Sequence, residues 1–126
     1  MRTLYRTTIT EVGPDVGDLV AGGVLILFAE GAPPELAEVS VLHIVEEGPS
    51  ADAPPVGAAI RIGLVEAQLT AVGDLAWKKV AELGHVVINF NGAAQVERPG
   101  ELCATVVPGE VLAAALLPGA DIVVAV

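Results

Sequence analysis

Apolar and polar positions along this chain recur mostly with the short period of β-strands, broken by glycine and proline. Residues 3–12 are Thr-rich and alternating, and the run stops at Gly13-Pro14. Residues 23–28 form a short continuous apolar run, which predicts a strand buried on both faces. A further strand is expected over residues 39–46, followed by a Pro- and Ala-containing loop over 47–55. Residues 58–62 and 65–72 read as two strands around Gly63, and strands follow at 85–90, 101–107 and 120–126. One helix is well signalled: Asp74 is a good N-cap, residues 75–83 are good helix formers, and Gly84 is a stop. The Ala-rich residues 110–116 suggest a second short helix. Many short strands with turn signals between them predict a mainly β fold, a closed or partly open barrel.

The sequence also matches itself. Residues 9–13 (Ile-Thr-Glu-Val-Gly) fall on residues 69–73 (Leu-Thr-Ala-Val-Gly) at an offset of 60. Beyond an insertion the offset becomes 62: Gly22, Val24, Ile26 and Phe28 fall on Gly84, Val86, Ile88 and Phe90. Gly57, Ala58 and Ile60 fall on Gly119, Ala120 and Ile122 at the same offset. The barrel is therefore expected to be one domain over residues 1–126, built from two similar halves, about 3–63 and 64–126.

Composition narrows the class. With 126 residues, of which 53% are hydrophobic and only four aromatic, the chain has enough aliphatic bulk for one core. No apolar run has the length of a membrane span, and the first residues do not resemble a signal peptide, so a cytoplasmic location is expected. The lone Cys103 offers neither an internal disulfide nor a metal cluster and reads as a small buried strand residue. A net charge of −10 argues against nucleic acid and anionic membrane as partners. Residues 7–60 hold no Lys or Arg but nine carboxylates, among them Glu30, Glu46 and Glu47. That stretch is either a solvated face or a docking field for a basic protein.

Nucleotide-binding loops, HExxH and GxSxG are all absent, and two histidines with one cysteine do not make a zinc site. The chemistry narrows to His43 and His85. His43 lies among aliphatic residues in a strand-like run, where an imidazole is often a satisfied core or rim residue. At the offset of 62 it falls on Thr105, so the fold does not need an imidazole there, and chemistry explains it better than packing. His85 follows the predicted helix, where it has a structural role on the last carbonyls, or it assists His43.

The runs Tyr5-Arg6-Thr7-Thr8-Ile9-Thr10, Glu30-Gly31-Ala32-Pro33, Thr70-Ala71-Val72-Gly73 and Leu83-Gly84-His85, with Val41-Leu42-His43, resemble the glucitol/sorbitol-specific IIA components of the bacterial sugar phosphotransferase system. The resemblance implies that His43 accepts a phosphoryl group from the histidine phosphocarrier protein and passes it to the membrane-bound sorbitol-specific IIB/IIC components. It implies no cofactor and no metal. Residues 44–48 lack the second histidine of some members. No Lys or Arg lies near His43 in sequence, which leaves backbone N–H groups, hydroxyls such as Thr70, or His85 to hold a phosphate. Carboxylates near His43 would favour its imidazolium form. Two other readings stand beside the carrier: a regulatory or binding module of the same fold whose His43 state reports sugar supply, and a purely structural barrel. Exposed edge strands in a partly open barrel would favour a homo-oligomer.

Overall fold

The structure, a computed structural model, describes residues 2–126. Its elements run β1 (Thr3–Val12), α1 (Val16–Ala21), β2 (Val24–Ala29), α2 (Pro34–Ala37), β3 (Val41–Glu47), β4 (Ala59–Ile62), β5 (Val65–Val72), α3 (Ala76–Leu83), β6 (Val86–Asn89), β7 (Glu101–Ala104), α4 (Gly109–Ala115) and β8 (Asp121–Ala125). The eight strands close into a barrel in the order β1-β3-β2-β6-β7-β5-β4-β8. Exchanging β1 with β5, β2 with β6, β3 with β7 and β4 with β8 leaves that circular order unchanged. The expected mainly β fold and the expected halves are both visible in this pattern, and the barrel is closed.

Register refines how the halves superpose. Ile9 pairs with His43 on β3, and Leu69, which follows it by 60 residues, pairs with Ala104 on β7. Leu27 pairs with Val41, and Ile88 pairs with Leu102. The middle strands are thus offset by 61, and only β4 and β8 reach 62, where Ile60 lies opposite Ala67 and Ile122 opposite Thr7. The insertion is two single residues, one before β6 and one after β7. A slip of one residue turns a strand's side chains to the other face, so the distinction matters. His43 corresponds to Ala104, not to Thr105; Thr105 takes the place of Ile44. Phe28 likewise corresponds to Asn89 rather than Phe90.

The barrel's interior follows from the alternation. Inward Leu25, Leu27, Ile60, Ile62, Leu69, Ile88, Leu102 and Ile122 are buried, each gaining roughly 1.5–3 kcal/mol from leaving water. The apolar run of β2 is not buried on both faces as expected: Val24, Ile26 and Phe28 stay half-buried, because a barrel encloses one face only. α3 and α4 occur where anticipated, while α1 and α2, of six and four residues, are too short to print a helical period. Asp74 makes no capping bond; α3 begins after Leu75, whose N–H is taken by the Pro99 carbonyl at 2.8 Å. α1 and α3 occupy matching places, burying Val16 and Val20 in one half and Ala76, Trp77 and Val80 in the other. No helix of the described residues is long and apolar enough to cross a membrane.

Gly13 and Gly73 hold the matching strand-to-helix corners. Their N–H groups donate to the Ser40 and Glu101 carbonyls at 3.0 and 2.8 Å. A Cβ on Gly13 would run into the Ala37 and Glu38 carbonyls, and one on Gly73 into those of Pro99 and Glu101. Gly13→Ala and Gly73→Ala should each destabilise the protein by about 1–3 kcal/mol. Gly17→Ala on α1, where a Cβ meets nothing, should stabilise it by about 0.5–1 kcal/mol. Urea denaturation of the three variants checks the contrast.

Candidate functional site

β3 changes character half-way. Val41, Leu42 and His43 are buried, whereas Ile44, Val45, Glu46 and Glu47 are exposed. His43 stands at the changeover, between Ile9 of β1 and Ala29 of β2. Its ring is 1% exposed and lies inside the barrel wall. Nδ1 is 2.5 Å from Thr7 Oγ1, and Nε2 is 2.8 Å from the Gly84 carbonyl oxygen. Thr7 Oγ1 also lies 2.7 Å from the Ile44 carbonyl, to which it can donate. Tyr5 meets the imidazole edge-on at 6.3 Å between ring centroids. The Tyr5 hydroxyl is buried without a partner, and burial pushes its pKa up to about 12.

The acceptors define the proton positions. A carbonyl can only accept, so Gly84 requires the proton on Nε2. In the neutral ring Nδ1 then carries a lone pair, and Thr7 donates to it. Burial holds the His43 pKa below its usual 6.5, while the Gly84 bond works weakly in the other direction. The expectation that carboxylates would favour the imidazolium is therefore corrected. His43 points inward, whereas the nine carboxylates of residues 7–60 are all exposed, and desolvation outweighs their field.

Gly84 roofs the ring. It ends α3 in the left-handed conformation, φ 60°, and a Cβ there would meet Ala29 Cβ at 2.8 Å and His43 Cε1 at 3.1 Å. No other residue type fits without moving the imidazole. Gly84 also lines a surface cleft of about 490 Å³ with Phe28, Glu30, Val45, Val80 and Glu82. The Nε2 side of His43 thus faces this cleft through one backbone carbonyl, and the Nδ1 side faces the interior. The cleft's lining includes two carboxylates, Glu30 and Glu82, and no Lys or Arg.

His85 is placed differently from expectation. Its side chain does not bond the carbonyls that end α3; Nδ1 donates to the Leu27 carbonyl of β2 at 2.9 Å. The reason is that β6 runs antiparallel to β2, with Val86 opposite Leu27, so the preceding side chain reaches across the strand pair. The ring is half-buried against Phe28, 5.0 Å between centroids, and Nε2 has no partner among the described residues. Thr70 is not brought to the site: it lies on β5 and donates to the Ala93 carbonyl at 2.6 Å. Cys103 is buried as expected, and burial raises its thiol pKa. No group of three or more potential metal ligands exists among the described residues.

Thr7 went unassigned in the sequence, although an inward-facing Thr between Tyr5 and Ile9 in an alternating strand is a usable signal. Its counterpart in the other half is Ala67, opposite Ile60 as Thr7 is opposite Ile122. The twofold-related place thus holds Ala67 and Ala104, both buried, where the first half holds Thr7 and His43.

Residues 4–114 match the family described as the PTS system glucitol/sorbitol-specific IIA component. The chain belongs to the glucitol/sorbitol-specific IIA family. It is 38% identical over 100 residues to the glucitol/sorbitol-specific EIIA component of Shigella flexneri, covering 79% of this chain and 80% of that protein. The same figures hold for its counterpart in Escherichia coli. The fold is also that of the crystal structure of a PTS system IIA component from Enterococcus faecalis, with a TM-score of 0.71 at 22% identity, over 96% of this chain and 99% of that one.

The lowered pKa of His43 has a signed consequence. Above about pH 6.5 the ring is neutral in both folded and unfolded chains, and its bonds contribute fully. Below that value the unfolded chain binds a proton that the folded site resists, so stability is lost as pH falls toward the folded pKa. The stability advantage of wild type over His43→Gln should therefore be greatest above pH 7 and shrink between pH 6.5 and 5. Paired urea titrations across that range measure it.

Proposed function

We propose that this IIA component accepts a phosphoryl group on His43 Nε2 from the histidine phosphocarrier protein and passes it to the sorbitol-specific IIB component. The observation that carries the reading is the chain Ile44 carbonyl–Thr7–His43–Gly84 beneath the cleft, against Ala67 and Ala104 in the matching place. A barrel that packs alanines at one site does not need a buried imidazole and hydroxyl at the other. Family membership supplies the reaction class, and the geometry favours the nitrogen: Nε2 lies toward the cleft, with one carbonyl between it and an incoming donor. Phosphorylation requires that carbonyl to leave, because Nε2 is bonded and the ring covered.

A second reading places the phosphoryl group on His85. It rests on one observation, the half-exposed ring whose Nε2 is unpartnered while Nδ1 is fixed by Leu27. Exposure favours His85; the single-copy polar pair and the family motif favour His43.

Incubation with phosphoenolpyruvate, enzyme I and the phosphocarrier protein, followed by intact-mass analysis, separates them. His43→Ala should abolish an acid-labile, alkali-stable adduct yet remain folded, since Ala104 fills the equivalent place. His85→Ala should still form the adduct, more slowly. An adduct that survives His43→Ala and disappears with His85→Ala assigns the site to His85.

The exposed acidic stretch fits a basic donor. Glu46 and Glu47 lie on the exposed end of β3, a few residues beyond His43. Replacing both by Gln should slow phosphoryl acceptance several-fold at about 10 mM salt, where the Debye length is about 30 Å. The difference should vanish by about 0.5 M salt, as stopped-flow or quench measurements would record. Equal rates at low salt would make these carboxylates merely solvated.

A further inference from the structure

The twofold pattern of the barrel bears on the surroundings of the Gly84 carbonyl. Gly84 corresponds to Gly23, since both follow the helix of their half, precede the matching strands and have positive φ, 60° and 82°. Ala29 corresponds to Phe90 at the same offset of 61. In the first seam position the Phe90 N–H donates to the Gly23 carbonyl at 2.8 Å and extends the β2–β6 ladder. Ala29 and Gly84 continue the same ladder at its other end, two residues beyond the Leu27–Val86 pair. Among the described residues no matching Ala29–Gly84 bond exists, because His43 Nε2–H takes that carbonyl instead. The Ala29 nitrogen is nevertheless close, 3.2 Å from the position of a Cβ on Gly84.

Resting on the reading that His43 is the acceptor, we propose that the Gly84 carbonyl is a gate with two seats, His43 Nε2–H and Ala29 N–H, and that Thr7 is the positioning residue for the open state. When the carbonyl passes to Ala29, it closes the ladder as Gly23 and Phe90 do, so one hydrogen bond replaces another. Nε2 then faces the cleft. Water removes the Nε2 proton and supplies one to Nδ1 as the ring is uncovered, so the ring stays neutral. Thr7 needs only to rotate its hydroxyl: Oγ1 accepts from Nδ1–H and donates to the Ile44 carbonyl already 2.7 Å away. The lone pair on Nε2 forms the new N–P bond, and the electron pair of the breaking P–N bond returns to the donor histidine. Each ring keeps the proton on its other nitrogen, so no proton is gained or lost in the transfer. In the phosphorylated state Thr7 and Ile44 hold the positive charge of the Nδ1–H side.

Two measurements test the gate, both on the whole protein. Amide exchange followed by NMR should find the Phe90 N–H protected at all times, and the Ala29 N–H protected only after phosphorylation. Ala29 protected equally in both states, or in neither, overturns the gate. Thr7→Val, which keeps the shape and removes the hydroxyl, should slow single-turnover acceptance by about 10- to 100-fold. The donor concentration for half-maximal rate should be unchanged, and Thr7→Ser should restore the rate to within about threefold of wild type. A Thr7→Val protein that is folded and as fast as wild type overturns the positioning role. Should Thr7→Val not fold, Thr7→Ser and the exchange data on the wild type decide. Phosphate found on His85 instead defeats the acceptor assignment itself, a result the mass analysis distinguishes from failure of the gate.

Discussion

Everything in this molecule depends on the antiparallel pairing of β2 with β6. Each half contributes a three-stranded set, β1-β3-β2 or β5-β7-β6, and one further strand, β4 or β8, that pairs only with the other half. The wall closes around two seams where equivalent strands meet, β2–β6 and β4–β8. Closure removes the free edges that would otherwise invite association with other chains. It also encloses the aliphatic core, with Leu25 opposite Ile88 and Ile60 opposite Val124 across the two seams. Because both halves present the same strand to the seam, each end of it repeats the other. The site lies where that repetition fails.

The failure is chemical rather than architectural. Both ends place a glycine carbonyl beyond a short helix, but at one end an imidazole intervenes between carbonyl and ladder. Burying a hydroxyl and an imidazole costs solvation unless both are bonded, and here Thr7 and the ring bond each other while the Gly84 carbonyl takes the remaining ring proton. An all-alanine version of the same position exists in the other half, at Ala67 and Ala104, with no polar side-chain atom to satisfy. The polar version is the more demanding solution, and packing alone does not require it.

Much of the architecture was legible in the alternation of residues. β1 and β5 begin and end where their patterns do, and the stop at Gly84 marks the end of α3. The repeat located the equivalent strands but misjudged their register by one residue in the middle of each half. Glycines and aliphatics recur often enough to align at either 61 or 62, and only pairing partners separate the two. α1 and α2 escaped notice because six or four residues do not complete enough turns to leave a period. Of the site, His43 stood out as an unmatched imidazole, whereas Thr7 and Gly84 did not. Their roles come from tertiary closure: β1 brings Thr7 from 36 residues away and α3 brings Gly84 from 41. His85 shows the opposite limit, since proximity to a helix end in sequence said nothing about the strand its ring would meet.

The cleft above His43 carries two carboxylates and no cation, and that bears on how the protein would store chemical energy. An Arg or Lys bonded to a phosphoryl oxygen would lower the loaded state by about 1.5–3 kcal/mol. That stabilisation would appear in full as an uphill step when the group moves on, turning an intermediate station into a sink. A lining without such a residue leaves the N–P bond close to its intrinsic transfer potential. On the proposed reading the group would move onward because its next acceptor is available, with no bond to a cation to be broken first.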